Sequence, residues 1–254
     1  MNDLTREALS RLSANLNEPV VKSGKAFFVP KGAGRRLVVS DIHGCFETFE
    51  NLLNKTGFTK SDQLFILGDC IDRGPYSRAV IDRVMQLLAE GYAVYPIRGN
   101  HEQLFLEYRD RSPSKLRYFA QRQNARHLLK GGGLSDSVGA FFQALPYYIE
   151  TDAHLLVHAG FNTVADKPLK AWHDMLWVRK FGYVEKLLKG KRVIHGHVPQ
   201  PLKRIERAVE NDDFVWPVDN GCVRSRHSGF GRLVCVDVDS GKIYKTKNAD
   251  TLPC

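Results

Sequence analysis

The sequence is poor in cysteine. Five occur, at positions 45, 70, 222, 235 and 254, an odd number without the short paired spacings of a zinc site or a disulfide scaffold, so reduced thiols in a cytoplasmic setting are expected. Long apolar runs are missing too: none approaches the roughly 20 residues that a membrane helix needs, which excludes a membrane span. Met1 to Asn17 mix Asp3, Arg6, Glu7 and Arg11 with scattered leucines. They lack the apolar core of a secretory signal, and export is not expected. No low-complexity block or internal repeat stands out, which argues against a solenoid or a disordered array. Acidic residues are outnumbered, 28 against 37 lysines and arginines, for a formal net charge of +9. That surplus favours anionic partners, whether phosphoproteins, nucleotides, nucleic acid or a membrane surface, and does not choose among them.

What is present is a regular alternation of strands and helices. After a short amphipathic helix through Leu4, Leu9, Leu12 and Leu16, a strand at Lys25 to Pro30 and a turn at Lys31 to Gly34, the pattern becomes periodic at Arg36. Residues 1–35 therefore read as an N-terminal extension and 36–254 as one catalytic domain. Leu37-Val38-Val39 ends in Ser40-Asp41 and is followed by Phe46, Phe49, Leu52 and Leu53 at helical spacing. Leu64 to Leu67 repeats the phrase, ending in Gly68-Asp69 before a helix carrying Val80, Val84, Leu87 and Leu88, and a third strand follows at Ala93 to Ile97. Strands joined by helices imply a largely parallel sheet whose ligands gather at the strands' carboxyl ends. Residues 103 to 130 look helical and basic, Gly131 to Gly133 closes them, and a helix follows at about Ser135 to Leu145. Runs at His154 to Val157, Arg192 to Ile194, Val215 to Val218 and Leu233 to Val238 suggest a second set of strands. The expected fold class is α/β, two packed mixed sheets flanked by helices.

The polar clusters at the strand ends carry the chemistry. They are Asp41-Ile-His43-Gly, Gly68-Asp69-Cys-Ile-Asp72-Arg73-Gly74, Gly99-Asn100-His101-Glu102, His158-Ala-Gly160 and His195-Gly-His197. Carboxylates and imidazoles in this mixture suit two divalent metals about 3.5–4 Å apart, clamping the attacking and leaving oxygens of a phosphoryl displacement. Manganese, iron or zinc fit such donors, no thiolate is placed to ligate, and the choice among the three stays open. Glycine beside nearly every cluster lets the chain leave the strand sharply.

These motifs, in this order, resemble the calcineurin-like metallophosphatases, and within them the phosphoprotein phosphatases that cleave phosphoserine and phosphothreonine. The resemblance runs from about Leu37 to Val238. It implies a four-layer α/β/β/α sandwich. It further implies that Asp41 and His43 hold one metal, that Asp69 bridges, and that Asn100, His158 and His197 hold the second. His101 with Asp72 would form the acid dyad, and Arg73 would grip the phosphate. A second phosphate-binding arginine is expected after the fourth motif and falls on Arg179. Two histidines compete at the last motif; similar sequences place the ligand after a glycine, which selects His197 and leaves His195 beside it. Ser40 and Ala159 stand where the family usually has glycine.

The chain is thus expected to be a metal-dependent phosphomonoester hydrolase in which a hydroxide between two metals attacks phosphorus directly. A phosphorylated protein is the preferred substrate, on the ground of Glu102, because related dinucleoside polyphosphate hydrolases tend to carry aspartate there. The alternatives are a nucleotide hydrolase on the same scaffold, and a noncatalytic basic module that holds nucleic acid or a partner. The basic residues Arg109, Arg111, Lys115, Arg117, Arg122, Arg126 and Lys130 read as a solvated helical face, without the aromatic and glycine pattern of an RNA-binding motif. Cys45 and Cys70 lie outside any loop of cysteine, five residues and arginine, and are read as packing.

Overall fold

The computed structural model describes residues 2–16, 26–186, 188–224 and 227–250. The first half of the chain runs α1 (Asp3–Asn15), β1 (Ala26–Phe28), β2 (Arg36–Val39), α2 (Phe46–Thr56), β3 (Gln63–Ile66), α3 (Ser77–Ala89), β4 (Ala93–Pro96), α4 (Asn100–Arg111) and α5 (Pro113–Arg122). A small hairpin of β5 (Leu129–Lys130) and β6 (Gly133–Leu134) leads to α6 (Asp136–Ala144), β7 (Tyr148–Glu150), β8 (His154–Val157) and α7 (Trp172–Trp177). The chain closes with β9 (Arg192–His195), α8 (Leu202–Glu210), β10 (Val215–Pro217), β11 (Arg232–Asp237) and β12 (Lys242–Lys247).

Two mixed five-stranded sheets result, in the orders β12-β11-β2-β3-β4 and β1-β7-β8-β9-β10. In the first, β2, β3 and β4 are parallel and β11 joins antiparallel to β2. In the second, β8, β9 and β10 are parallel and β7 is antiparallel to β8. Leu37, Val38 and Val39 are all buried, as strands covered on both faces must be. In the second sheet the two-residue period sorts the side chains. Ile149, Leu156 and Ile194 enter the core shared with the first sheet, and Tyr148, Leu155, Val157 and Val193 enter a smaller core with Phe161 and Met175. Helices flank the sheets, and among the described residues none is long and apolar enough to cross a membrane.

One expectation changes. The run Leu233 to Val238, grouped with the second set of strands, falls on β11 up to Asp237, and β11 pairs with β2 of the first sheet. Partner choice depends on contacts far along the chain that local periodicity does not encode. Of the described residues before Arg36, those of α1 pack on α3, and those of β1 form the edge of the second sheet beside β7.

Leu12 of α1 is fully buried, so Leu12→Ala is expected to cost about 2–5 kcal/mol. Tm would fall by roughly 2–4 °C per kcal/mol in a chain of this size. An unchanged thermal melt would mean that α1 contributes nothing to the cooperative unit. His154 opens β8 next to Thr151, and burial together with Arg36 lowers its imidazole to about 4. In the unfolded chain the ring titrates near 6.5. Between these values the unfolded state binds the extra proton, so stability falls as pH falls through that window. Urea titrations at pH 7 and pH 5 are expected to show a smaller loss for His154→Gln than for the parent chain, and an equal loss would sink this account.

Candidate metal centre

The polar motifs converge because both sheets end at the same edge. Asp41 and His43 follow β2, Asp69 follows β3, Asn100 and His101 open α4 after β4, His158 follows β8, and His197 follows β9. Backbone conformation is costly here. Eight described residues other than glycine have positive φ, and His43, Asp69, Asp72, Arg73 and His197 are five of them. Such conformations cost of order 1–3 kcal/mol each and persist where the surroundings enforce them.

Two groups of donor atoms form, His43 with Asp69 and His101, and Asp69 with His158 and His197, each within 4.8 Å and all buried but for the half-buried His197. Asp69 belongs to both, with its Oδ2 3.7 Å from His43 Nε2 and 3.5 Å from His158 Nε2. The tautomers follow from the backbone. His43 Nδ1 donates to Ile71 O at 2.9 Å and His158 Nδ1 donates to Leu67 O at 2.8 Å, so both rings turn an Nε2 lone pair inward. Asn100 Oδ1 lies 2.9 Å from His158 Nε2 and 3.1 Å from His197 Nδ1. A carbonyl oxygen facing a lone-pair nitrogen at that distance repels it unless a proton or a cation lies between them. Oxygen and imidazole donors gathered with their lone pairs together fit a first-row divalent ion.

Electrostatics agree with that chemistry. Burial, then Arg73, holds the His43 imidazole well below its ordinary value, and burial with His158 takes His197 down to about 3. The rings are therefore neutral, the form that ligates. Burial raises the Asp69 carboxyl to about 7, with Asp41 adding to the effect. A divalent cation among these donors would draw it back to the carboxylate.

Asp41 is positioned differently from its partners. Its carboxylate accepts from Ser40 Oγ at 2.7 Å and from the His197 backbone N–H at 3.1 Å, and its Oδ2 stands 4.0 Å from His43 Nε2. The first group thus comprises His43, Asp69 and His101, with Asp41 beside it. His101 Nδ1 is 2.6 Å from Asp72 Oδ2. Burial raises the Asp72 carboxyl and lowers the His101 imidazole, so the pair shares one proton. Exposed Arg73 covers both rings, donating to His43 Nε2 at 2.6 Å and to His101 Nε2 at 3.0 Å.

Sequence reasoning gave no role to several supports. Glu102, read as a mark of the substrate, is fully buried and accepts from the backbone N–H groups of Gly99, Asp69 and Cys70 at 2.9–3.0 Å. It holds the loop that presents Asp69 and does not face a substrate. Gly99 is needed because a Cβ there would collide with Asp69, and Gly196 because a Cβ would collide with Asp41. Asp219 is buried near Asp41, and burial raises its carboxyl well above the usual range. Cys45 and Cys70 are buried, and burial raises the Cys70 thiol.

Two residues stand apart from the cluster. Exposed Arg179 makes no hydrogen bond to it and instead lines a neighbouring cavity of about 700 Å³, although its charge helps to lower His197. His195 lines the same cavity, with Nδ1 3.0 Å from Gly196 O and its ring edge-on to Phe181. Of His195, which ends β9, and His197, which follows it, only His197 shares the cluster with Asp69 and His158.

The model of the calcineurin-like phosphoesterases matches residues 34–234. The chain belongs to this family. Among similar proteins, a symmetrical bis(5'-nucleosyl)-tetraphosphatase of Acidovorax ebreus is 45% identical over 80 residues, which are 30% of this chain and 27% of that protein. Serine/threonine-protein phosphatase 1 of Salmonella typhimurium is 31% identical over 155 residues, 56% of this chain and 68% of that protein. The match thus spans little more than a quarter of the Acidovorax relative's length. A protein serine/threonine phosphatase structure from Saccharomyces cerevisiae superposes with a TM-score of 0.63 at 14% identity, covering 98% of this chain and 90% of its own. At that identity the likeness concerns the sandwich fold of this phosphoesterase family.

Glu102→Gln replaces one acceptor oxygen by a donor opposite three backbone N–H groups. Apparent affinity for manganese, measured by competition with a chelator, is expected to fall roughly 10–100-fold, the usual effect of losing a partner that orients ligands. Unchanged affinity would remove Glu102 from the support of Asp69.

Proposed function

We propose that this chain is a metal-dependent phosphomonoester hydrolase acting on protein phosphoserine and phosphothreonine. The observation that carries the reading is the buried Asp69 carboxylate shared by two donor groups, with the His101–Asp72 pair beside it. Asp41 and His43 would hold one ion, Asn100, His158 and His197 the other, and Asp69 both, with manganese preferred to iron or zinc. The catalytic unit would be residues 36–254, with 1–35 an N-terminal extension. Two divalent ions bound there would activate a water for in-line attack and neutralise phosphate charge.

The protein's own groups do the rest. Arg73 turns its guanidinium from His43 and His101 to two phosphate oxygens, which as anions are stronger acceptors than imidazole nitrogens. That movement frees His101 Nε2 to take up the proton released as the water is activated and to pass it to the departing serine or threonine oxygen, while Asp72 stabilises the transient imidazolium through Nδ1. Arg179, exposed in the lining of the adjoining cavity, would close on a third oxygen. The alcohol leaves neutral and the enzyme is never phosphorylated.

The Salmonella phosphatase favours a phosphoprotein substrate because it matches over most of its length. A nucleotide substrate is the second reading, favoured by the higher identity to the Acidovorax tetraphosphatase over a shorter stretch. Comparing kcat/KM on a phosphoserine peptide and on a dinucleoside tetraphosphate decides between them, and a preference of orders of magnitude for the nucleotide overturns the first. RNA binding with a steep salt dependence and no hydrolysis of an aryl phosphate would instead identify a noncatalytic module.

Removing metal with a chelator is expected to abolish aryl phosphate hydrolysis, and manganese to restore it. Asp69→Asn should lose metal and turnover together. His101→Asn should keep its metal by elemental analysis and lose roughly 10²–10⁴ in kcat, the range for general acid catalysis. Loss of metal in the second variant would make His101 a ligand, as its place near His43 and Asp69 allows.

A further inference from the structure

The second sheet ends in a groove that the proposed chemistry does not use. The cavity of about 700 Å³ beside His195 and Arg179 continues, through shared walls at Arg204, Asp213, Val215 and Pro217, into another of about 320 Å³ along α8. Its cations are Arg179 and Lys180 near the cluster and Lys203, Arg204 and Arg207 on the outer face of α8, all exposed. Among the described residues none of these five has a carboxylate partner, and Asp213 is the only acid in either lining. Glu206, the acid within this stretch of α8, is engaged by Lys245 at 2.5 Å. An unpaired row of one sign that begins at Arg179, whose charge reaches His197, asks for an extended anion.

We infer that this groove binds acidic residues flanking the phosphorylated serine or threonine, so that the enzyme selects phosphosites in acidic sequence. The inference rests on the phosphoprotein reading. Lys203 and Arg207 lie one helical turn apart, about 5–6 Å between Cβ atoms. Alternate side chains of an extended peptide repeat every 6.4–6.8 Å, so two acids at every second position meet successive cations. A nucleobase is served less well, because the rings of Tyr183 and Phe214 are stacked on one another at 4.6 Å and each occupies a face of the other.

The test uses the manganese-loaded chain and a panel of phosphoserine peptides carrying Glu, Gln or Lys on either side of the phosphosite, with an aryl phosphate and a dinucleoside tetraphosphate alongside. The acidic peptide is expected to exceed its Gln analogue in kcat/KM by about tenfold, chiefly through KM. That advantage should shrink as salt rises and the Debye length shortens from about 10 Å at 0.1 M to about 3 Å at 1 M. Lys203→Glu with Arg207→Glu should erase or invert the preference, and the milder pair Lys203→Gln and Arg207→Gln should reduce it partway. The aryl phosphate, too small to reach α8, should be hydrolysed at the parent rate by both. Equal turnover of all peptides, or an acidic preference that survives charge reversal, would overturn the groove assignment and leave the phosphoprotein reading standing. Turnover of the dinucleotide with no peptide turned over would overturn both.

Discussion

The two sheets are fastened to each other at their carboxyl edges by hydrogen bonds from the same residues that gather the donor atoms. Asp41, after β2, accepts the backbone N–H of His197, after β9, at 3.1 Å, and His158, after β8, donates through Nδ1 to Leu67 O, after β3, at 2.8 Å. Each bond crosses from one sheet to the other. Apolar packing between sheets is non-directional and tolerates sliding, whereas these polar ties specify one alignment. The register of one sheet on the other and the geometry of the cluster are therefore a single property. A substitution at Asp41 or His158 would disturb both.

Burying this much ionisable matter has to be compensated. Asp69 sits in a fully desolvated place with Glu102 nearby, and burial raises both carboxyls to about 7. The fold answers with backbone N–H groups: His101 N donates to Asp69 Oδ1 at 3.0 Å, and three more donate to Glu102. Oriented amides stabilise negative charge without adding a competing cation. They leave Asp69 Oδ2 directed at the histidines. On the proposed reading, metal charge completes the balance, so binding of the ions and ionisation of the carboxylate are one linked event.

Much of this was legible in the sequence, and the exceptions have physical causes. The motifs after β2, β3 and β4 could be found because a parallel strand, a polar turn and a helix N-terminus are neighbours in the chain, so composition and place coincide. Pairing of β11 with β2 joins residues almost two hundred positions apart, and nothing local announces it. The brief strand β7 and helix α7 offer too few residues for a period to show. Helix α8 did carry a signal, with Leu202, Ile205, Ala208 and Val209 at helical spacing and buried or partly buried. Glu102 was visible as part of a motif, but its role depends on burial and on which N–H groups surround it. Residue type does not reveal either.

The net positive charge also acquires a location. The basic stretch from Arg109 to Lys130 is largely exposed on α4, α5 and the following turn, with Leu116 and Ala120 directed inward, and Arg109 is paired with Asp110 at 2.7 Å. These are the features of a solvated helical surface. The cations beside His195 are exposed as well, so they bear little desolvation cost, yet among the described residues they lack carboxylate partners, and they lie along a concave wall. Charge in a cleft with low-dielectric walls focuses its field, whereas charge on a convex helix is screened by solvent on all sides. Equal numbers of lysines and arginines in the two regions would therefore act unequally on an approaching anion. The surplus that composition records becomes consequential where the second sheet ends.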